Sequence, residues 1–115
     1  MLNLLLMYMI KCSKDILIGK QGKHILGHNN YIEGRSYITI SEKEAQELVN
    51  KYAGTGELLF ASDGKWRNQE IVRTDRVIGY NVSDIDGPKV KTKNFKIHYS
   101  KKGTHIVPKK GVMNK

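Results

Sequence analysis

The strongest periodicity in the chain starts at residue 41. Ala45, Leu48, Val49 and Tyr52 recur at helical spacing and form one apolar stripe. Ser41-Glu42-Lys43-Glu44 stands just ahead of them. This is a capping box: the serine oxygen takes one free backbone N–H, and the Glu44 carboxylate reaches back to another. Gly54 is placed to stop the helix in the left-handed conformation. On either side the period drops to two. Residues 36–40 are β-branched and aromatic and predict a strand. Residues 57–61 and 65–72 predict a hairpin around the turn signal Ser62-Asp63-Gly64. Residues 76–82 set Ile78, Tyr80 and Val82 on one face, and residues 83–88 read as a polar turn. Residues 93–100 alternate again, with Phe95, Ile97 and Tyr99 on one face and Lys96, His98 and Ser100 on the other. Residues 104–107 close the sheet, and Pro108, which lacks an N–H, is expected to end the pairing. The result is an α+β fold, with a helix packed on one face of a mainly antiparallel sheet.

The first third of the chain is less regular. Residues 1–10 are apolar but too short to span a bilayer, which needs roughly 20 such residues. They read as an element packed on the core or on a second copy of the chain, so a homodimer through residues 1–10 is one expectation. Residues 15–19 predict a short strand, and residues 20–30 a loop or a single helical turn.

Length and composition bound the class. The chain has 115 residues, enough for one domain, with 39% hydrophobic and 27% charged residues, so it reads as globular. Its single cysteine, Cys12, rules out an internal disulfide. The net charge of +9 is unevenly placed. Residues 41–88 carry six basic and nine acidic side chains, whereas residues 89–115 carry nine lysines and no acid. Such a block draws polyanions, and nucleic acid is the natural partner.

The last predicted hairpin carries the candidate chemistry. If Lys101 and Lys102 are the central turn residues, Tyr99 faces Thr104 and His98 lies opposite His105. A three-residue Lys-Lys-Gly loop would instead move His105 to the other face. Metal-independent RNA cleavage needs a base for the 2′-hydroxyl proton, an acid for the leaving oxygen, and cations on the phosphate. Histidine suits both proton-transfer roles, and the chain has four. Grouped carboxylates, which two-metal nucleases require, are missing: Asp84 and Asp86 read as turn formers. One cysteine and no tight histidine pair make a poor zinc site. No metal or cofactor is therefore expected.

Several segments together resemble a known family. Lys20-Gln21-Gly22-Lys23-His24, Asn29-Asn30-Tyr31, Gly34-Arg35-Ser36 and the run from His98 to Pro108 resemble the polymorphic-toxin type 50 domain. That domain occurs as the C-terminal module of bacterial polymorphic toxins and at the end of some phage head-morphogenesis proteins. The resemblance covers roughly residues 16–110, leaving 1–15 as an apolar lead and 111–115 as a basic tail. It implies a ribonuclease of the superfamily that groups barnase, EndoU, colicin and RelE-like toxins. The implied fold has one or more N-terminal helices on a twisted antiparallel sheet, here of roughly four to five strands. Carried onto this chain, the resemblance assigns proton transfer to His24 and to one of His98 and His105. It makes Lys20, Lys23 and Arg35 a phosphate clamp, aided by Ser36, Lys96, Lys101 and Lys102, with Ser100 and Thr104 as orienting hydroxyls. The implied partners are RNA, transfer RNA included, a cognate immunity protein, and phage or delivery proteins, but no membrane. The implied compartment is the cytoplasm of a producing or target cell. Such modules usually end a long delivery protein, whereas only a short apolar lead stands here, so a free-standing domain, an excised one or a prophage remnant is expected. A basic, non-catalytic nucleic-acid-binding phage protein is the alternative reading.

Overall fold

A computed structural model describes residues 11–83 and 87–110. The apolar segment 1–10 with its expected dimer contact, Asp84, Asp86 and the basic tail lie outside the described residues. The expectation for 15–19 divides. Ile16 makes a parallel bridge to Thr104, and the chain then turns into a short helix, α1 (Ile18–Gln21). A 3₁₀ turn (Gly22–His24) continues it. Strand β1 (Tyr37–Ile38) leads into helix α2 (Glu42–Tyr52). Five of the remaining strands follow in order: β2 (Glu57–Phe60), β3 (Trp66–Arg73), β4 (Gly79–Val82), β5 (Lys89–Thr92) and β6 (Asn94–Tyr99). Strand β7 (Thr104–Lys109) completes the fold.

The capping box forms as its residues dictate. The Glu44 N–H donates to Ser41 Oγ at 3.0 Å, and the Ser41 N–H donates to Glu44 Oε1 at 3.0 Å. Gly54 adopts φ +89° just past the helix, a conformation that favours glycine. The stripe Ala45, Leu48 and Val49 is buried in one cluster with Val72, Ile78, Phe95, Ile97, Tyr99 and Ile106.

The strands form two antiparallel sheets rather than one: β1-β4-β5 and β2-β3-β6-β7. Strand β5 is an element that alternation does not announce. Lys89, Val90 and Lys91 are all exposed, so it presents no apolar face, yet it pairs with β4 from Lys89 to Thr92. Pro108 does not end β7, which runs on to Lys109 with Pro108 opposite Phe95. β7 is the outer strand of its sheet, where a residue without an N–H costs no ladder bond on the open side.

Strand β6 alternates without a break. Phe95, Ile97 and Tyr99 are buried, while Lys96 and His98 are half-buried on the opposite face. A buried carboxylate secures the core side: Glu70 on β3 accepts hydrogen bonds from the Gly54 and Gly56 N–H groups and from the Tyr99 hydroxyl. No helix among the described residues is long and apolar enough to cross a membrane.

Candidate active site

Strands β6 and β7 pair so that Tyr99 faces Thr104 and His98 faces His105. The turn is closed by the Ser100 N–H donating to the Gly103 carbonyl at 3.1 Å, with Lys101 and Lys102 at its exposed tip. This register brings the two imidazoles face to face. Their ring centroids are 4.6 Å apart and the planes differ by 15°.

A third imidazole joins them from the N-terminal turn. His24 lies 6.0 Å from His105, centroid to centroid, with the rings 8° from parallel. Backbone mimicry by Gln21 holds it there. The fully buried Gln21 amide donates from Nε2 to the Ile106 carbonyl at 2.9 Å, and its Oε1 accepts from the Ile106 N–H at 2.7 Å. One side chain thus occupies the edge of β7 as a neighbouring strand would. Gly22 completes the fit, because a Cβ there would overlap the His28 ring.

The tautomer of His24 follows from its partner. Nδ1 lies 2.8 Å from the Ser36 carbonyl oxygen, which can only accept, so Nδ1 carries the proton and Nε2 holds the lone pair. Ser36 is itself fixed against β4, its Oγ accepting from the Val82 N–H at 2.9 Å and donating to Asn81 Oδ1 at 3.5 Å.

A cleft of about 530 Å³ opens over this row. Lys20, Lys23, Arg35, Lys96 and Lys109 line it together with the three histidines, and among the described residues no carboxylate does. Charge and burial act together on the imidazoles. Burial, with Lys96, His24 and Lys20 nearby, pushes His98 down to about 4. Burial, with His98, His24 and two lysines nearby, pushes His105 down to about 3. Burial also lowers His24, with Arg35 and Lys23 adding to the shift and the Ser36 hydrogen bond opposing it. Burial first, and the protein's own cations second, therefore keep these imidazoles neutral, and an entering anion would offset the part due to charge. Among the described residues no group of three or more His, Cys, Asp or Glu is placed to hold a metal ion.

The expected site residues divide in two. Lys20, Lys23, His24, Arg35, Ser36, Lys96, His98 and His105 meet at the cleft. Ser100, Lys101, Lys102 and Thr104 do not line it. The Ser100 hydroxyl is committed to the turn, donating to the Gly103 carbonyl at 2.8 Å. The Lys101 and Lys102 side chains stand exposed at the hairpin tip. Thr104 is fully buried on the core face, its hydroxyl donating to the Lys14 carbonyl at 3.4 Å. Conversely, Gln21, Asn81 and Lys109 escape a reading of the sequence. Gln21 sits inside the Lys-Gln-Gly-Lys-His motif, but only the fold reveals that its amide serves as a strand edge.

No curated protein matches the chain. The model of the family described as bacterial toxin 50 matches residues 16–108, which takes in α1, the histidine row and the hairpin, and the chain belongs to that family of bacterial toxins.

Proposed function

We propose that the chain is a metal-independent endoribonuclease toxin that cuts RNA through its own 2′-hydroxyl. The observation that carries this reading is the tautomer of His24: its Nδ1–H is spent on the Ser36 carbonyl, leaving Nε2 as a base at a cationic cleft. His24 Nε2 takes the 2′-hydroxyl proton as that oxygen attacks the adjacent phosphorus. The P–O5′ bond breaks, and one member of the His98/His105 pair gives its proton to the departing oxygen. The products are a 2′,3′-cyclic phosphate and a 5′-hydroxyl. Lys20, Lys23, Arg35 and Lys96 hold the non-bridging oxygens as charge builds. The acid takes its proton from solvent as substrate binds, since a phosphate in the cleft favours imidazolium and offsets the share of the downward shift that the nearby lysines impose. A cognate immunity protein for such a toxin would present acidic side chains to the same cleft.

The test is cleavage of RNA by the purified protein in EDTA. Cleavage is expected, and it should be lost in His24→Ala. Loss of cleavage in EDTA, or full activity in His24→Ala, His98→Ala and His105→Ala alike, would falsify the mechanism. Salt-sensitive binding to RNA and DNA without turnover would favour the non-catalytic reading instead.

A further inference from the structure

A second cleft, of about 240 Å³, lies beside the first. Lys20, His98 and His105 border both. Its remaining wall is built by an irregularity in β3. Leu58 pairs with Glu70, but two residues further along β2, Phe60 pairs with Trp66, so β3 carries extra residues at this point. Asn68 absorbs the bulge at φ 61°, the one described non-glycine residue with positive φ. The bulge is pinned from within. The Trp66 indole N–H donates to the Gln69 carbonyl at 3.0 Å, and the Trp66 ring lies 5.4 Å from that of the buried Tyr99. Arg67 and Asn68 are left exposed at the cleft wall.

The groups there differ from those at the first cleft. The Ser100 hydroxyl is spent on its turn, whereas Asn68 makes no side-chain hydrogen bond among the described residues. An amide offers a donor and an acceptor side by side, which matches the edge of a nucleobase better than a phosphate. An arginine plane is a surface on which an unpaired base stacks.

We propose that this second cleft holds the nucleobase next to the cleaved phosphate, with Asn68 reading its edge and Arg67 covering its face. The proposal rests on the ribonuclease reading. The shared wall of His98 and His105 makes the two clefts neighbouring subsites on one strand, phosphate in the first and base in the second. Asn68 is then the residue that sets base preference.

Two variants test it on a pool of short RNAs of mixed sequence. Asn68→Gly keeps a residue suited to positive φ and removes the amide. Asn68→Asp keeps the shape and replaces the donor with an acceptor. Wild type is expected to prefer one base at the position beside the cut. In Asn68→Gly that preference should fall by about tenfold in kcat/KM, and in Asn68→Asp it should move to a different base. If both variants cut with the wild-type sequence profile, the base subsite is wrong and the ribonuclease reading stands. If wild type cuts no RNA, both fall together.

Discussion

His98 on β6 and His105 on β7 stand directly opposite one another, with ring centroids 4.6 Å apart and planes 15° from parallel. At that separation a proton on one imidazole repels a proton on the other, so the pair behaves as a single acceptor. Their burial and the cations around them make even the first proton unwelcome.

A consequence for stability follows. His98 and His105 are lowered to about 4 and about 3 in the folded protein, whereas the unfolded chain titrates them near the ordinary value of 6.5. Between those limits the unfolded chain binds protons that the folded chain refuses. Their contribution is fully present above pH 6.5 and is lost as pH falls, down to about 4 for His98 and about 3 for His105. Thermal melts at pH 7 and pH 5 should show a drop for wild type that shrinks in the His98→Gln/His105→Gln double variant. An equal drop in both proteins would remove these residues from the pH response.

Gln21 ties the turn that bears His24 to β7, so its loss should cost both stability and rate. Gln21→Ala leaves the N–H and C=O of Ile106 without their partner. Unsatisfied buried groups of this kind make the expected destabilisation roughly 2–4 kcal/mol. Denaturant unfolding measures it. The residual cleavage rate of the folded variant should fall more than that of a surface variant of equal stability, because His24 loses its support.

The cleft cations should dominate the salt response. On single-stranded RNA each phosphate contact contributes a slope of roughly −0.7 in log affinity against log salt. Binding by a His24→Ala protein, which is expected not to turn over, isolates this quantity. Lys23→Ala and Arg35→Ala should each flatten the slope by about that amount. Lys101→Ala should leave it unchanged, because Lys101 sits at the hairpin tip outside both clefts.

The parts of this architecture that are legible in the sequence are the local ones. The capping box, the stripe of α2 and the alternation of β6 depend on neighbours a few residues away, and they appear where the pattern puts them. Long-range choices are less legible. β1 pairs with β4 across some forty positions and β5 presents no apolar face, so the division into two sheets cannot be read from alternation. The hairpin sequence allows His105 on either face, and the closure of the turn from Ser100 to Gly103 decides between them. His24 and His105 are linked in the sequence only through family resemblance, because long-range bonds bring their segments together: the Gln21 bridge to Ile106 and the backbone bonds between residues 15–17 and Thr104. Asn68 gives no signal at all: a polar residue in a strand looks like an outward-facing position, and the bulge that aims it at the cleft depends on Trp66 and Tyr99 packing beneath.

The chemical identity of the new RNA ends tests the central claim most directly. Mass spectrometry of fragments from an RNA cut in EDTA should find a 2′,3′-cyclic phosphate on one product and a 5′-hydroxyl on the other. A 3′-hydroxyl paired with a 5′-phosphate would mean that water, not the 2′-hydroxyl, attacked, and would contradict the role of His24 as the base for that hydroxyl.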